Sequence, residues 1–219
     1  MRIVLLGPPG AGKGSLALLC KTRLKLAHFS TGEIFRHEIS RKTPLGKRVQ
    51  RYVSAGRLVP NSLVVQVMAS RLRKDRSVRG FVLDGFPRTA TQAAGLDRVL
   101  KKMRQPLDGA VYLTSPEPLL VRRLSGRRVC PTCGANYHIR TMRPKRSGRC
   151  DHCGTRLTTR KDDQLSTIRR RLAIDRTTAR PLLSYYRRKR LLCLVDGRGR
   201  IGTVFVRVGR LFRRKRWTA

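Results

Sequence analysis

The chain has 219 residues, of which 51 are Lys or Arg and 12 are Asp or Glu, so its formal net charge is +39. Because 40% of the residues are hydrophobic, the chain can bury a core, which argues against a wholly disordered basic protein. This length suits one domain with an insertion, or one large and one small domain. The positive charge indicates anionic partners such as nucleic acid, a membrane surface or small anionic ligands, and does not choose among them.

The apolar runs are too short for a signal peptide or a membrane span. The run nearest the N-terminus covers only residues 3–6. We therefore expect a cytoplasmic protein that does not enter the membrane. Of its six cysteines, four form two C-x-x-C pairs, whereas Cys20 and Cys193 stand alone in apolar surroundings. The paired cysteines favour a metal site over disulfides.

Short apolar runs alternate with helical patterns along the chain. Residues 3–6 predict a strand that stops at the glycine-rich segment 7–15, and an amphipathic helix follows over 16–26. Further strands are predicted at 27–29, 81–84, 109–113 and 191–195, with helices at 89–103 and 119–124. Strands that are apolar on both faces and alternate with helices predict a parallel sheet covered by helices on both sides.

The segment 7–15 lies where a phosphate-binding loop is expected, between a strand and the start of a helix. Its small residues allow successive backbone N–H groups to point at phosphate oxygens, and Lys13 would neutralise phosphate charge. In the commonest pattern Ser or Thr follows the lysine directly, whereas here Gly14 precedes Ser15. A glycine turn without a ligand is the alternative interpretation.

Asp84 ends a predicted strand and should therefore stand at the carboxyl edge of the sheet, beside the phosphate loop. A carboxylate at this place can hold Mg²⁺ or its water ligands. The alternative is a structural role as a helix cap or turn residue. The neighbouring phosphate loop favours the metal role.

A block rich in Arg, Gly and Pro interrupts the alternation of strands and helices and predicts a small inserted subdomain, bounded near residues 126 and 163. It contains both C-x-x-C pairs, sixteen residues apart: Cys130, Cys133, Cys150 and Cys153. A glycine follows each pair and permits a tight turn, as in a tetrahedral thiolate site. Four thiolates leave no open coordination position, so the sequence predicts a structural metal, with disulfides as the alternative.

Taken in order, these motifs resemble the adenylate kinase family, in the long form whose lid carries a metal-binding finger. The resemblance runs from residue 1 to about residue 212. The matching segments are 7–15 (GPPGAGKGS), 30–32 (STG), 56–60 (GRLVP), 83–88 (LDGFPR), 126–130 (GRRVC), 160–163 (RKDD) and 169–172 (RRRL).

The resemblance implies an α/β fold with a P-loop nucleoside monophosphate kinase core, a parallel sheet and helices on both faces. The implied core covers residues 1–29, 61–125 and 164–219, with an AMP-binding insertion at 30–60 and a zinc-binding lid at 126–163. The implied reaction is Mg²⁺-dependent, reversible phosphoryl transfer from ATP to AMP, which gives two ADP. The expected cofactors are Mg²⁺ with ATP and a structural Zn²⁺, and the expected state is a monomer.

The resemblance also implies roles for individual residues. The implied contacts to ATP are Gly10, Ala11, Gly12, Lys13, Gly14, Ser15, Arg123, Arg127, Asn136, Tyr137 and Gly199. The implied contacts to AMP are Thr31, Arg36, Arg57, Leu58, Val59, Gly85, Arg88, Gln92, Arg160 and Arg171. The implied catalytic cations are Lys13, Arg88, Arg123, Arg127, Arg160 and Arg171. Asp84 is implied to hold Mg²⁺ through water, and Asp162 and Asp163 are implied to pair with core arginines at the lid hinge.

The sequence also departs from the family pattern. Ser15 replaces the usual Thr, and Glu33 replaces an Asp. Family members are commonly near neutral or acidic, whereas this chain carries a charge of +39. Two alternatives therefore remain: a kinase for another nucleoside monophosphate such as UMP or CMP, and a basic nucleic-acid-binding protein that retains a kinase scaffold. Weak non-specific binding of polyanions is expected even if the protein is a kinase.

Overall fold

The computed structural model describes residues 1–74 and 80–217. The strands in these ranges are β1 (Arg2–Leu6), β2 (Ala27–Ser30), β3 (Phe81–Asp84), β4 (Gly109–Thr114), β5 (Arg127–Val129), β6 (Asn136–His138) and β7 (Leu192–Asp196). The helices are α1 (Lys13–Leu24), α2 (Thr31–Ser40), α3 (Pro44–Ser54), α4 (Asn61–Lys74), α5 (Ala90–Lys102), α6 (Glu117–Ser125), α7 (Leu165–Arg188) and α8 (Ile201–Arg214). A 3₁₀ turn at Lys161–Asp163 precedes α7.

Five parallel strands form the central sheet in the order β2-β3-β1-β4-β7, which confirms the predicted fold class. Val4 of β1 lies opposite Leu83 of β3 and Ala110 of β4. The chain first leaves β1 toward one side of the sheet and later crosses to the other side. The carboxyl end of β1 therefore lies at a topological switch point, where open α/β sheets bind ligands.

Two apolar layers cover the faces of this sheet. Ile3 and Leu5 of β1 point into the layer that contains α1 and α8. Val4 and Leu6 point into the opposite layer, which contains α4, α5 and the C-terminal part of α7. Burial on both faces explains why the strands read as uninterrupted apolar runs. Within the described ranges, no helix is long and apolar enough to cross a bilayer.

Helix α1 begins at Lys13, earlier than the predicted residue 16, and ends at Leu24 rather than at residue 26. The helix starts inside the phosphate loop, with Gly12 as its cap in the left-handed region at a φ of 99°. The apolar pattern that predicted the helix could not include these first residues, because Lys13, Gly14 and Ser15 are not apolar. At the other end, Lys25 turns into the left-handed region at a φ of 55° and stops the helix.

Two segments extend beyond the sheet. Between β2 and α4, helices α2 and α3 pack against each other so closely that a Cβ on Gly46 would lie 2.1 Å from the carbonyl oxygen of Glu38. After α6, β5 and β6 form an antiparallel pair, and the isolated bridge between Val129 and Thr158 closes the segment that carries the C-x-x-C pairs. A small core of Cys130, Tyr137 and Cys150 holds this second segment together.

Candidate active site

A cavity of about 1170 Å³ opens at the carboxyl edge of the sheet, which is more room than one small ligand usually occupies. Most of the residues implied by the resemblance line it. They are Gly10, Ala11, Gly12, Lys13, Gly14, Ser15, Arg36, Leu58, Asp84, Gly85, Arg88, Arg123, Arg127, Asn136, Tyr137, Arg160, Arg171 and Gly199. Thr31, Arg57, Val59 and Gln92 lie outside its lining.

The glycines of the phosphate loop are required by its geometry. Gly7 and Gly10 have φ values of 132° and 84°, which side chains rarely adopt. A Cβ on Gly7 would also lie 2.7 Å from the carbonyl oxygen of Leu113, and one on Gly10 would lie 2.9 Å from that of Leu120. The loop therefore turns tightly against β4 and α6 and aims the N-terminus of α1, with its free N–H groups and partial positive charge, into the cavity.

Lys13 folds back over this loop. Its Nζ donates to the carbonyl oxygens of Gly7 and Pro8 at 2.6 and 2.9 Å. Burial lowers the pKa of Lys13 to about 8, although the nearby Asp84 carboxylate raises it. A buried ammonium with only neutral partners in contact would gain strongly from an anionic group placed in the cavity.

Asp84 stands at the end of β3, and its Oδ2 lies 3.9 Å from Nε2 of His28. Burial opposes ionisation of Asp84, but His28 and Lys13 outweigh it and lower the pKa of the carboxyl group. A Cβ on Gly14 would lie 3.2 Å from this Oδ2, so the glycine after Lys13 leaves room for the carboxylate beside the helix. An ionised carboxylate beside a phosphate loop fits Mg²⁺, which retains most of its waters in such sites.

Ten arginines line the cavity, and six of them are those implied by the resemblance. Arg36, Arg88, Arg123, Arg127, Arg160 and Arg171 come from different parts of the chain, and all line the cavity. Burial, together with the like charges of Arg127 and Arg36, lowers the pKa of Arg160 to about 9. Burial likewise lowers the pKa of Arg88, and Arg171 adds to the effect. Cations crowded together in this way favour binding of a ligand with several negative charges.

Two acids beside α7 hold some of these arginines. The fully buried carboxylate of Asp163 accepts from Nε and Nη2 of Arg127 at 2.7 and 2.6 Å. Arg171 contacts Asp163 at 3.1 Å and Asp162 at 3.0 Å. These ion pairs join β5, the 3₁₀ turn and α7 at the border of the lid segment.

A hydrogen-bond network lies behind the cavity wall near Arg88. The backbone N–H of Arg88 donates to Oε1 of the buried Gln92 at 2.7 Å, and Nε2 of Gln92 donates to Oδ1 of Asn61 at 2.9 Å. The hydroxyl of Thr31 and Nε of Arg88 both donate to the carbonyl oxygen of Gly85, at 2.9 and 2.8 Å. Thr31 and Gln92 therefore hold the turn after β3 in place.

The segment 56–60 borders the same region through its backbone. Arg57 is exposed, and its N–H donates to the carbonyl oxygen of Tyr52 at 2.8 Å. Leu58 lines the cavity, whereas Val59 is buried in the core. Of these three side chains, only that of Leu58 faces the cavity.

Two further contacts shape the opposite side of the cavity. Oδ1 of Asn136 accepts from Nη2 of Arg160 at 2.8 Å. Nη2 of Arg123 donates to the carbonyl oxygens of Gly197 and Gly199, at 3.1 and 3.0 Å. Arg123 thus holds the loop after β7 while its guanidinium also borders the phosphate loop.

The four cysteines of the lid segment meet at one point. Their Sγ atoms all lie within 4.8 Å of one another, with 3.3 Å between Cys130 and Cys153 and 3.5 Å between Cys133 and Cys150. Tetrahedral zinc with bonds of about 2.3 Å requires sulfur separations of about 3.8 Å, so the cluster fits this metal. Burial opposes ionisation of Cys150, but hydrogen bonds from Tyr137 and from backbone N–H groups lower its pKa to about 6.

Some residues of the cavity and of the hydrogen-bond network behind it were missed in the sequence. Asp175 lies one turn after Arg171 on α7 and faces the cavity; burial raises the pKa of its carboxyl group, and Lys13 and Arg88 lower it. The only available signal was its spacing of four residues from Arg171. Asn61 begins α4 directly after the segment 56–60, and its amide reaches Gln92 only in the folded chain.

Comparison with known proteins gives a consistent match. The family model described as Adenylate kinase matches residues 5–191. An adenylate kinase from Clostridium botulinum (strain Langeland) is 44% identical over 214 residues, which cover 98% of this chain and 99% of the relative. Adenylate kinases from Clostridium tetani (strain Massachusetts) and Clostridium perfringens (strain SM101) are 44% and 43% identical over 205 residues, or 94% of this chain and 95% of each relative.

Proposed function

Because the chain belongs to the adenylate kinase family, we propose that it transfers a phosphoryl group reversibly from Mg²⁺-bound ATP to AMP, forming two molecules of ADP. The protein is an enzyme of the nucleoside monophosphate kinase type. The observation that carries the proposal is the convergence of Lys13 and six arginines on one cavity at the mouth of the phosphate loop. We assign the enzyme a role in balancing the adenine nucleotides.

Catalysis in such a site depends on position and charge. The acceptor oxygen of AMP is already ionised, so the reaction needs no general base. The transferring group spreads negative charge over its oxygens, and Lys13, Arg88 and Arg123 would stabilise that charge. Asp162 and Asp163 now hold Arg127 and Arg171 in ion pairs. When phosphates compete for these two arginines, they would join Arg160 and complete the set of cations around the transferring group.

Asp84 would hold Mg²⁺ through a water ligand. The metal, when bound, would neutralise charge on the ATP phosphates. The protein's own contribution is a carboxylate kept ionised by His28 and Lys13 and placed beside Gly14, where no Cβ blocks it.

We propose the domain division implied by the resemblance: a core, an AMP-binding insertion at 30–60 and a lid at 126–163. The contacts between α2 and α3 support the insertion as a unit, and the bridges around the cysteine cluster support the lid. Arg170 donates to the carbonyl oxygen of Ala55 at 3.0 Å and thereby links α7 to the insertion. Zn²⁺ in the lid would be structural, because its four thiolates fill a tetrahedral shell.

We also propose that the enzyme acts as a monomer in the cytoplasm. Every candidate site residue comes from this one chain, so the cavity needs no second copy. None of the six cysteines, all of which lie in the described ranges, is paired in a disulfide, which supports a reducing compartment.

A substrate panel tests the function. ADP formation from ATP should be measured with AMP, UMP, CMP or GMP as the acceptor, with and without Mg²⁺. We expect AMP to be the fastest acceptor and the rate to depend on Mg²⁺. Faster transfer to UMP or CMP would support the alternative kinase, and no transfer to any acceptor would contradict the proposal. The variant Lys13→Ala serves as the inactive control.

A further inference from the structure

The amino-terminal edge of the sheet, opposite the cavity, is strongly basic. Helices α1, α5, α7 and α8 run antiparallel to the strands, so all four end at this edge. Trp217, just beyond α8, lies against Gly109 at the start of β4 and shows how close these ends come to the strands. We call the fourteen Lys and Arg residues within 21–25, 101–104, 187–190 and 213–216 the basic edge.

The charges of the basic edge are open to solvent and largely unneutralised. All fourteen side chains are exposed. Within the described part of the chain, Lys189 is the one member that forms an ion pair, with Asp97 at 2.5 Å. The nearby Asp108 is engaged by Arg2 and by the amino terminus of Met1. The edge therefore presents an uncompensated positive field to solvent.

The backbone at this edge also indicates that its charge is not a by-product of helix formation. Lys25, Arg104, Arg190 and Arg216 adopt left-handed φ values of 55°, 55°, 57° and 54°. Gly or Asn normally takes these positions after a helix, because another side chain is strained there. The helix dipole explains a cation in the last turn, but these four residues lie beyond it.

We propose that the basic edge binds the phosphate backbone of double-stranded nucleic acid without base preference. A duplex presents about one charge per ~1.7 Å, twice the density of a single strand, and so gains most from a row of cations. The edge offers no stacking platform, because the ring of Trp217 packs against Phe212 with centroids 5.7 Å apart.

A membrane surface fits the basic edge less well. The exposed large hydrophobic residues in the described ranges are Leu18, Ile139, Met142, Leu165, Leu194 and Val206, and none belongs to the four segments of the edge. Without apolar side chains to insert, the edge can offer a lipid surface only charge. This binding goes beyond phosphoryl transfer and uses none of the cavity residues.

Two variants with the same net charge test the proposal. The edge variant replaces six basic-edge residues by Gln: Lys21, Arg23, Arg187, Arg188, Arg213 and Arg214. The control variant replaces six exposed cations elsewhere by Gln: Arg41, Lys47, Arg48, Lys145, Arg146 and Arg156. None of these twelve side chains forms a hydrogen bond or ion pair with a described residue, so folding should be retained in both variants. Near-ultraviolet circular dichroism and the kinase assay check the fold.

Binding should be followed by the fluorescence anisotropy of a labelled 20-base-pair DNA duplex at ~50 and ~200 mM salt. We expect the wild type, the control variant and Lys13→Ala to bind alike, with a steep salt dependence. The edge variant should bind at least ~10-fold more weakly at the lower salt and show a shallower salt slope. If the edge variant folds poorly, a double variant with Arg187→Gln and Arg188→Gln should be compared with a control that carries Lys47→Gln and Arg48→Gln. The first double variant should then lose affinity for the duplex, by a smaller factor than the edge variant, and the control should not.

Several outcomes would overturn the proposal. These are no wild-type binding at ~50 mM salt, equal weakening in the edge and control variants, and a single strand that binds as tightly as the duplex. Phosphatidylserine vesicles that bind while the duplex does not would assign the edge to membranes. Because the kinase assay is run on every variant, a failure of the proposed function is seen separately from a failure of this inference.

Discussion

Lys13 places a positive charge in the cavity, where nucleotide phosphates could contact it. Its ammonium is buried, contacts two neutral carbonyl oxygens and has a pKa lowered to about 8. An ATP phosphate would replace those carbonyls with anionic oxygens, and the charge that forms during transfer would strengthen the contact further. We propose that Arg88 would make the corresponding contact to the phosphate of AMP.

We predict that Lys13→Ala and Arg88→Ala each reduce kcat by about 100-fold or more, because charge stabilisation of this kind is typically worth ~3 kcal/mol. The fold should remain intact. Lys21→Ala is the matched control for Lys13→Ala, because it removes an exposed cation from the same helix, α1. Arg98→Ala is the control for Arg88→Ala, because it removes an exposed cation from α5, the helix that follows Arg88. Rates within threefold of wild type for either test variant would remove that residue from the mechanism.

A pH prediction follows from the same lysine. Its pKa in the free enzyme is lowered to about 8, so above that pH Lys13 loses its proton and its attraction for phosphate. Bound ATP favours the charged form and raises the pKa, so ATP binding takes up a proton on the alkaline side. We expect kcat/KM for ATP to fall above about pH 8, and kcat to fall only at higher pH. A flat kcat/KM profile between pH 7 and about 10 would contradict this assignment.

Residues that belong to contiguous motifs could be placed from the sequence. Lys13, Asp84 and Arg88 follow strands or start helices, and the end of a parallel strand fixes the edge of the sheet where they lie. Asn61 and Asp175 carry no such signal, because their partners are 31 residues away or on other elements. Distant pairing of this kind depends on how helices pack, which a local pattern does not encode.

At the scale of elements, apolar runs predicted all five strands of the main sheet to within one residue at each end. Because these strands are buried on both faces of the sheet, their residues form continuous apolar runs. Such runs can be recognised even in a sequence rich in arginine. Helix α7 went unpredicted although it has 24 residues, because it is crowded with arginine and contains Pro181. The pair β5–β6 was also missed, since its strands have three residues each and gain their order from the cysteine cluster.

The cysteine cluster leads to a prediction about the lid. We expect one Zn²⁺ per chain, and we expect chelation to expose residues 139–149 to protease before the sheet unfolds, because the metal closes only that segment. Cys150→Ser should lower both metal content and lid protection, whereas Thr132→Ser should change neither. Elemental analysis and limited proteolysis give the measurements. Absence of zinc, or unchanged proteolysis after Cys150→Ser, would count against a structural metal.

The loop after β7 gives a second prediction at this scale. Arg123 holds the carbonyl oxygens of Gly197 and Gly199, and Nη1 of Arg207 holds those of Asp196 and Arg198, at 3.0 and 2.7 Å. Two guanidinium groups thus fix four successive carbonyls beside the proposed adenine contact at Gly199. If Arg123 turns toward phosphate, Arg207 is the guanidinium that still holds carbonyl oxygens of this loop.

We therefore expect Arg207→Met to raise KM for ATP by about 3- to 10-fold, because the substitution removes one or two hydrogen bonds that hold the loop. KM for AMP and kcat should change little. Arg210→Met, an exposed position on the same helix, is the control. Steady-state kinetics with each nucleotide varied separately would measure both constants. Equal increases in the two KM values would indicate a general structural effect instead.

At the scale of the whole molecule, the kinase reaction does not require a charge of +39. Lys13 and the ten arginines that line the cavity are eleven of the 51 cations, so most of the remainder lie on the surface. Like charges repel one another more strongly in the compact protein than in the expanded chain, which lowers the free energy of unfolding. Ordinary salt reduces this repulsion by screening, because the Debye length is about 10 Å at 0.1 M.

Multivalent anions should stabilise the protein beyond what screening provides. We expect sodium sulfate to raise the melting temperature by at least about 3 °C more than sodium chloride at the same ionic strength, because sulfate can sit between neighbouring cations and binds the folded surface preferentially. The basic edge brings fourteen exposed cations together, so the six-residue edge variant should lose most of this difference, and the control variant should keep it. Identical melting curves in the two salts would show that screening alone accounts for the response, and equal loss in both variants would show that net charge matters rather than its position.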